Sequence, residues 1–483
     1  MSIYSKNDFD VLLNNIDKIN DDIKRIKSNL YKPDLTEKKK IQSLILDYIK
    51  RKNKKIYGGY ALNKLLMDKN YKSIYKDYET PDIDFYSVDP NTDIIELCNK
   101  LHELNYKVSA REAKHPNTYS IFVEYDLYCD ITYAPSCIYN TIPIIKIDEI
   151  NYVNPSFMII DYLKMITDPL SSYWRIQKSF ERLIYLEQAY PLPKFIKSIE
   201  INETESDKII LESLEIILDE VRNLSDIVMV GYYSYLFFLK TSKFFRKNKN
   251  LLEFSRKTYS NLPYLEIISK NFKSDSLRLI DKLKEYSDLV TYTEYHPFFT
   301  FLSNSVEVYL NDNLIMIIYD YGNRAIPYIV ENNIKIGSFA QSLMYAQANV
   351  IKHRTQQNEE LKYMYMLMVS HLIQMRFYYF EINKHQSIMD DTPFKEFVLD
   401  FVAPSENPEH EMLVKCEKRK AKNKPSIFIY DPSRTRKEEK VENFFFPNIS
   451  GNEITNTKRQ VLNTVPVEND QNSIDNDEIK NDI

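Results

Sequence analysis

The chain has 483 residues, 43% of them hydrophobic, and a formal net charge of −5 at pH 7. This length predicts about three domains with ample core, and the charge is not that of a dedicated nucleic-acid-binding protein. The four cysteines form no CxxC pair, which argues against a disulfide framework and a zinc site and for a reducing compartment. The sequence contains no signal peptide and no run of about 18 apolar residues, so we expect no membrane association.

The first 55 residues predict two helices. In residues 7–30, apolar side chains recur every three or four positions, as in an amphipathic helix. We expect this helix to pack on the body of the protein, although its spacing also fits a partner helix or a second subunit. A second helix starts at Thr36, and residues 36–55 contain eight basic and two acidic side chains. This local basic cluster is compatible with RNA contact even though the whole chain is acidic.

Two of the six glycines, Gly58 and Gly59, are adjacent and lie between a short apolar run and a predicted helix from Ala61 onward. Glycine permits a left-handed backbone and lets the chain approach a ligand closely. A turn between a strand and a helix presents free backbone N–H groups, which bind phosphate well. We therefore predict that Gly58 and Gly59 bind a nucleotide phosphate.

Carboxylates follow on two predicted strands. Asp82 and Asp84 are two residues apart, so both point to the same face of a strand. Asp130 lies on a later alternating strand; Asp126 shares its face but lies nearer the start of that strand. Oxygen ligands of this kind bind Mg²⁺ together with substrate phosphates. We predict that Asp82, Asp84 and Asp130 form a metal-binding catalytic site, with Asp126 as the substitute for Asp130.

The segment 151–300 is predicted to be mostly helical. Within it, Arg175, Lys178 and Arg182 fall at helical spacing on one face. The three cations could meet a substrate anion, and a solvated basic stripe without such a role explains the pattern equally well.

The last third of the chain changes character. Residues 306–319 predict a β-hairpin. A strand at residues 334–336, followed by Gly337 and a long helix, repeats the strand–glycine–helix pattern without a following Asp-x-Asp strand. Residues 301–430 are therefore expected to form an α/β domain. Residues 431–483 lack a periodic apolar face and are expected to be mostly disordered.

The glycine pair, the Asp82/Asp84 strand and the later Asp130 strand, in this order, resemble the nucleotidyltransferase superfamily that includes DNA polymerase β and the poly(A) polymerases. The gap of 22 residues (60–81) between the glycine pair and Asp82 is longer than is usual there. Three features together resemble, more specifically, the poly(A) polymerase catalytic subunits of large nucleocytoplasmic DNA viruses, including the poxvirus type. These features are the stretch Tyr57–Asn63, the long gap and the Asp-Ile-Asp-Phe-Tyr strand. The resemblance covers roughly residues 56–135.

This resemblance implies an α+β fold with a polymerase β-like mixed sheet and helices. The expected division of the chain is an N-terminal helical region (1–55), a nucleotidyltransferase catalytic domain (56–150), a helical domain (151–300), a C-terminal α/β domain (301–430) and the tail (431–483). A degenerate second nucleotidyltransferase fold fits the C-terminal α/β domain.

The resemblance also implies template-independent transfer of AMP from ATP to mRNA 3′ ends, which synthesises poly(A) tails. It implies two-metal catalysis with Mg²⁺ or Mn²⁺ held by the three aspartates, and a triphosphate bound by Arg175, Lys178 and Arg182 in addition to the glycine pair. The implied partners are ATP and an RNA 3′ end, and a homodimer and a processivity subunit both stay open. The implied location is the host cytoplasm and the virion.

Three alternatives remain open at this point. One is another nucleotidyltransferase of the same fold, such as a 2′–5′ oligoadenylate or CCA-type enzyme or one that modifies a small molecule; the long helical body and the basic segments favour a polymer substrate. Another is a non-catalytic RNA-binding scaffold subunit, for which a complete aspartate triad would be a coincidence. The third is a protein-modifying transferase.

Overall fold

The computed structural model describes residues 3–113, 115, 117–197, 199, 208–403, 408–423 and 427–434. The tail expected to be disordered lies outside the described residues from residue 435 onward.

The part of the chain before residue 190 forms, in order, α1 Lys6–Leu30, α2 Leu35–Arg51, β1 Lys55–Tyr57, α3 Gly58–Asp68, β2 Ile83–Ser87, α4 Pro90–Glu103, β3 Val108–Glu112, β4 Thr118–Val123, β5 Asp126–Tyr133, α5 Ser136–Thr141, β6 Ile144–Ile147, β7 Ile150–Val153, α6 Pro155–Thr167, α7 Pro169–Ser172 and α8 Ile176–Ala189. Tyr173–Arg175 form a 3₁₀ turn that leads into α8.

The remaining described part forms α9 Lys208–Arg222, β8 Ile227–Val230, α10 Gly231–Ser242, α11 Leu252–Arg256, β9 Leu265–Ser269, α12 Phe272–Tyr286, β10 Val290–Tyr295, β11 Ser305–Leu310, β12 Asn313–Asp320, β13 Ile326–Glu331, β14 Ile334–Gly337, α13 Phe339–Thr355, α14 Glu359–Ile382, β15 Phe401–Val402, α15 Pro408–Ala421 and β16 Ile429–Tyr430. Further 3₁₀ turns lie at Phe244–Arg246, Lys249–Leu251 and Tyr259–Asn261.

The first helix is long and lies largely in solvent. A reciprocal pair of hydrogen bonds between Ser5 and Asp8 caps the start of α1. No residue of α1 is buried, and the apolar side chains of its repeating face, including Leu12, Ile23 and Ile26, are exposed. The expectation that this helix packs on the body is therefore wrong for its apolar face. The alternative, that this face is available to a partner, stays a prediction.

Two eight-stranded mixed sheets form the body of the protein. The first has the strand order β16-β3-β4-β5-β2-β1-β7-β6. Strand β2 lies between β1, to which it is antiparallel, and β5, to which it is parallel. Ile83, Phe85 and Ile131 are fully buried, as expected of apolar residues that alternate with polar ones along a strand. Asp84 and Asp130 therefore point to the opposite face of this sheet.

The second sheet repeats the topology of the first, except for one edge strand in each, β16 in the first and β15 in the second. Its strand order is β10-β11-β12-β9-β8-β14-β13-β15. The pair β8/β9 is antiparallel, β9/β12 is parallel and β8/β14 is parallel, as are the corresponding pairs β1/β2, β2/β5 and β1/β7 of the first sheet. A glycine with positive φ begins the helix after the first strand of each unit, Gly58 with φ +71° and Gly231 with φ +58°. The second unit is thus a further copy of the nucleotidyltransferase-type fold.

Two details differ from the sequence expectations. The strand–glycine–helix turn of the second unit is at Gly231, not at Gly337, which ends the later strand β14. The segment 151–300, expected to be helical, contributes β8, β9 and β10 to the second sheet. Strands β8 and β9 are short and buried at every position, including Glu266 and Ser269 of β9. A strand buried on both faces shows no alternation between apolar and polar residues and is difficult to distinguish from part of a helix.

Corresponding helices of the two units pack against each other. Helix α6 follows β7 in the first unit and α13 follows β14 in the second. The Gln347 side chain of α13 donates a hydrogen bond of 2.8 Å to the backbone oxygen of Ser156 in α6. Arg324, from the second unit, donates to the backbone oxygen of Lys164 in α6 at 3.0 Å. The two units therefore meet along α6.

Among the described helices, none is both long and apolar enough to cross a membrane.

Candidate active site

The glycine turn places a helix N-terminus directly above the carboxylates. Helix α3 begins at Gly58, and no side chain caps it, so its first N–H groups are free to bind an anion. A Cβ atom at Gly58 would lie 2.1 Å from Oδ2 of Asp84, and φ at this residue is +71°. Only glycine meets both conditions without strain. The turn and the carboxylate are thus fixed against each other.

Three carboxylates meet on the open face of the first sheet. Asp84 is paired with Asp130 across β2 and β5, and Asp82 immediately precedes β2. One carboxylate oxygen from each of Asp82, Asp84 and Asp130 lies within 4.8 Å of the others, and all three side chains are partly exposed. Asp126 lies apart, exposed at the start of β5, where it forms an ion pair of 2.6 Å with Lys38. The structure thus brings the three predicted aspartates together and places Asp126, the predicted substitute for Asp130, outside this cluster.

The electrostatics of this triad favour a bound cation. Burial raises the pKa of Asp84 well above its ordinary value, and the charges of Asp82 and Asp130 raise it further. Burial also raises the pKa of Asp130, while the hydrogen bond from Ser120 opposes this rise. Crowded carboxylates of this kind resist being charged together. A divalent cation removes the repulsion, and three carboxylate oxygens are the hard ligands that Mg²⁺ and Mn²⁺ take.

The predicted basic stripe faces the triad. Arg175 lies in the 3₁₀ turn before α8, and Lys178 and Arg182 follow in the helix. The positive charges of Arg182 and Arg175 both act to lower the pKa of Asp84. Burial lowers the pKa of Lys178, as do the neighbouring Arg182 and Arg175. The three cations are therefore close to one another and to the carboxylates, where a triphosphate could bind between them.

Tyr75 was missed in the sequence and connects the glycine turn to the basic stripe. The Arg182 guanidinium donates a hydrogen bond of 2.9 Å to the hydroxyl of Tyr75. A Cβ atom at Gly59 would lie 2.2 Å from that hydroxyl and 2.8 Å from Nη2 of Arg182. Tyr75 belongs to the loop between α3 and β2, so the unusually long gap before the Asp-x-Asp strand supplies a residue of the site.

Ser120 was also missed. It lies opposite Asp130 on β4, and its hydroxyl donates a hydrogen bond of 2.6 Å to Oδ1 of Asp130. A serine in the middle of a strand carries no sequence signal by itself. Only the antiparallel pairing of β4 with β5 shows its role.

The corresponding location in the second unit has lost the triad. Glu266 occupies the place of Asp84, because it pairs with Val230 of β8 as Asp84 pairs with Tyr57 of β1. The partner of Glu266 on β12 is Ile317, where the first unit has Asp130. Glu266 is fully buried and accepts hydrogen bonds from Tyr319 at 3.1 Å and Tyr365 at 3.0 Å. The second unit therefore retains the glycine turn but not the three carboxylates that could bind a metal ion in the first unit.

Comparisons with known proteins agree with this geometry over almost the whole chain. Residues 43–172 match the family model described as poly(A) polymerase catalytic subunit, and residues 215–464 match the one described as "APMV, Putative poly(A) polymerase, catalytic subunit, C-terminal". The solved structure titled crystal structure of the Megavirus polyadenylate synthase superposes with a TM-score of 0.85 at 31% identity, covering 94% of this chain and 93% of that one.

Similar sequences come from two groups of viruses and carry the name "Putative poly(A) polymerase catalytic subunit". The relative from Acanthamoeba polyphaga mimivirus is 30% identical over 93% of this chain and 83% of its own length. A relative from African swine fever virus (isolate Pig/Kenya/KEN-50/1950) is 28% identical over 33% of this chain and 35% of its own length. The mimivirus match spans both units and the carboxylate triad, and the chain therefore belongs to the family of viral poly(A) polymerase catalytic subunits.

Proposed function

We propose that the chain extends RNA 3′ ends without a template by transferring AMP from ATP at the triad of the first unit. The observation that carries this proposal is the meeting of three carboxylates, a free helix N-terminus and three cations on one face of the sheet. Carboxylates recruit the cations that neutralise phosphate charge, and basic side chains with backbone N–H groups hold the triphosphate. Positioning and charge neutralisation are most of what phosphoryl-type transfer requires.

Each group has a separate task in this scheme. The N–H groups at the start of α3 and the side chains of Arg175, Lys178 and Arg182 bind the triphosphate and orient its leaving pyrophosphate. Asp82, Asp84 and Asp130 would hold Mg²⁺ or Mn²⁺, which supply neutralisation of the charge that develops on the attacking and leaving oxygens. Asp130 lies on the side of the triad towards β4, and we place the attacking 3′ hydroxyl of the RNA on that side.

We propose a division of the chain that follows the two sheets rather than the boundary at residue 301. The catalytic unit runs from α2 through β7 and includes β16, which returns to pair with β3. The helices α6 to α8 cross to the second unit, which begins with α9. This division keeps β8, β9 and β10 with the sheet that they form.

The exposed apolar face of α1 is the proposed contact for a further chain, either a second copy or a processivity subunit. The helix is tied to the active-site loop, because Lys76 and Tyr78 of the loop before β2 both bind Asp21. A partner on α1 would thus be coupled to the loop that carries Tyr75.

Relatives of this chain are viral proteins, and we propose the host cytoplasm and the virion as its places of action.

The test is nucleotide addition by the purified full-length chain. The chain is incubated with a short RNA primer and each labelled nucleoside triphosphate in turn, with Mg²⁺ or Mn²⁺. We expect RNA extension with ATP and its loss in the presence of a chelator. Transfer to a small molecule or to protein instead of RNA, or 2′–5′ linkage of the product, would contradict the proposal. Absence of any transfer by a folded chain would support a non-catalytic role.

A further inference from the structure

A row of paired side chains crosses the first sheet from the triad towards β3. Asp130 on β5 pairs with Ser120 on β4, and Ser120 pairs with Arg111 on β3. Residues directly opposite each other on adjacent strands share one face of a sheet. Because neighbouring strands lie about 4.8 Å apart, the backbone of Arg111 is roughly 10 Å from that of Asp130. Strand β7, which leads into α6, lies on the other side of the triad. The row therefore starts at the carboxylates and leads away from the contact between the two units.

The Arg111 guanidinium is held over an aromatic ring on this face. Phe122 lies two residues beyond Ser120 on β4, so its side chain points to the same face. Cζ of Arg111 is 4.4 Å from the centroid of the Phe122 ring. Arg111 is exposed and Phe122 is partly exposed. Leu127, which pairs with Phe122 from β5, is also exposed. A cation and an apolar surface therefore lie side by side next to the triad.

A second pair of a cation and a ring lies at the end of the same hairpin. Lys107 immediately precedes β3, and Tyr125 is in the turn between β4 and β5. Nζ of Lys107 is 6.0 Å from the centroid of the Tyr125 ring, and Tyr125 is 84% exposed. Four residues separate Lys107 from Arg111, which corresponds to about 13 Å along a strand. The two pairs thus follow each other along the hairpin as the distance from the triad increases.

The acidic side chains of this hairpin have partners of their own. Glu124 accepts a hydrogen bond of 2.8 Å from the backbone nitrogen of Lys107. Asp126 forms its ion pair with Lys38. Within the described ranges, neither Arg111 nor the ammonium of Lys107 forms an ion pair or a side-chain hydrogen bond. Both cations are therefore available to an anionic ligand.

This arrangement fits single-stranded nucleic acid. Proteins bind such strands with cations that contact the phosphates and with exposed rings on which the bases stack. One exposed ring beside a cation is ordinary on a protein surface. Two such pairs in succession, in line with a carboxylate of the triad, match the repeating phosphate and base of a strand whose end is at Asp130. The proposed function places the RNA 3′ hydroxyl on this same side of the triad.

We infer that Arg111, Phe122, Lys107 and Tyr125 form a primer track, which binds the single-stranded RNA behind its 3′ end. This inference rests on the proposed function. Arg111 contacts a phosphate near the 3′ end, because a guanidinium positioned by a ring presents its donors to phosphate oxygens. Lys107 and Tyr125 contact nucleotides farther from the end. The track accepts any base, since every base has a face that can stack on a ring.

The first test is equilibrium binding of a fluorescent oligoadenylate by the full-length chain, without ATP or metal. Arg111→Ala and Lys107→Ala should each raise the Kd about tenfold, the effect of one lost hydrogen bond to a charged group. Each should also reduce the slope of log Kd against log salt concentration by about 0.7, the contribution of one phosphate of a single strand. Arg256→Ala and Lys273→Ala change exposed cations elsewhere and should leave Kd and slope unchanged.

The rings should act on affinity without acting on the salt dependence. Phe122→Leu and Tyr125→Leu should raise the Kd at least about fivefold through lost stacking, with the slope of the wild type and equally for oligoadenylate and oligouridylate. Tyr125→Phe retains the ring and should bind as the wild type does. In extension assays, Lys107→Ala should raise the KM for a long oligoadenylate but not for a dinucleotide, which ends before it reaches Lys107.

The outcomes separate this inference from the proposed function. Transfer of AMP by the wild-type chain tests the proposed function alone, because the binding measurement needs no chemistry. Wild-type Kd and salt dependence in both Arg111→Ala and Lys107→Ala would overturn the inference even in a chain that extends RNA. A raised KM for ATP with unchanged primer binding would also overturn it, since Arg111 would then serve the nucleotide. A lower Tm of Phe122→Leu with wild-type RNA affinity would show that this ring is only structural.

Discussion

Ser120 holds Asp130 from the neighbouring strand: its hydroxyl lies 2.6 Å from Oδ1 of Asp130, directly across the β4–β5 pair. Within the described residues, neither Asp82 nor Asp84 accepts a comparable side-chain hydrogen bond. Asp130 is thus the carboxylate of the triad whose orientation is fixed by another side chain. With Oδ1 occupied, Oδ2 is left for a cation.

Ser120→Ala should weaken the use of the divalent cation more than it weakens the fold. A hydrogen bond to a charged group contributes about 1.5–3 kcal/mol, so the Mg²⁺ concentration for half-maximal activity should rise about tenfold or more. Ser120→Thr retains the hydroxyl and should restore the wild-type value. The measurement is a Mg²⁺ titration of RNA extension, with Ser109→Ala on β3 as the control. A lower Tm with an unchanged Mg²⁺ dependence would show that Ser120 is only structural.

Replacing an aspartate of the triad should lower activity, and replacing Asp84 should also raise stability. Asp84→Asn or Asp130→Asn should lower RNA extension by at least about 100-fold, because a lost ligand removes charge neutralisation in the transition state. The same change relieves repulsion between crowded carboxylates, so the Tm measured with a chelator present should rise for Asp84→Asn. Asp126→Asn is the control, since Asp126 pairs with Lys38 away from the site, and it should retain activity. Full activity of Asp130→Asn would remove this residue from the site.

The order of motifs in the sequence was enough to predict the fold family and to propose the triad, but not the limits of the second unit. Strand alternation places Asp82 and Asp84 on one face, and the order of the motifs indicates Asp130 on a later strand as the third carboxylate. The second unit lacks this signal, because Glu266 is alone on its strand and Ile317 replaces the third carboxylate. Ser120 and Tyr75 become visible only through their pairings with Asp130 and Arg182 in distant segments, which no local pattern encodes.

The basic stripe, Arg175, Lys178 and Arg182, should contribute to binding of the nucleotide and not to binding of the RNA primer. Arg175→Ala and Lys178→Ala should each raise the KM for ATP about tenfold, as expected for one lost charge-assisted contact with phosphate. The KM for the RNA primer should stay within about twofold of wild type. Steady-state kinetics with each substrate varied in turn measure both values. Lys273→Ala, an exposed lysine on α12, is the control. Weaker primer binding with unchanged ATP kinetics would instead assign the stripe to RNA.

The buried glutamate of the second unit predicts a pH dependence of stability. Burial raises the pKa of Glu266 from 4.5 to about 7, against the opposing effect of hydrogen bonds from Tyr365 and Tyr319. The charge of Lys352 also lowers this pKa, and that of Glu307 raises it. Between pH 4.5 and about pH 7, Glu266 stays protonated in the folded chain but has lost its proton in the unfolded chain. The free energy of unfolding should therefore fall as pH rises from about 4.5 to about 7, by up to about 3 kcal/mol.

Glu266→Gln should remove this pH dependence, because an amide of the same shape stays neutral in both states and can still accept from a tyrosine hydroxyl. The Tm of the variant should match that of the wild type near pH 5 and exceed it above pH 7. Scanning calorimetry across this range measures the difference, and Glu215→Gln, an exposed glutamate on α9, should follow the wild-type curve. Parallel curves for wild type and Glu266→Gln would mean that Glu266 is charged in the folded chain. RNA extension by Glu266→Gln should stay at the wild-type level at pH 7, because the second unit lacks the carboxylate that Ile317 replaces.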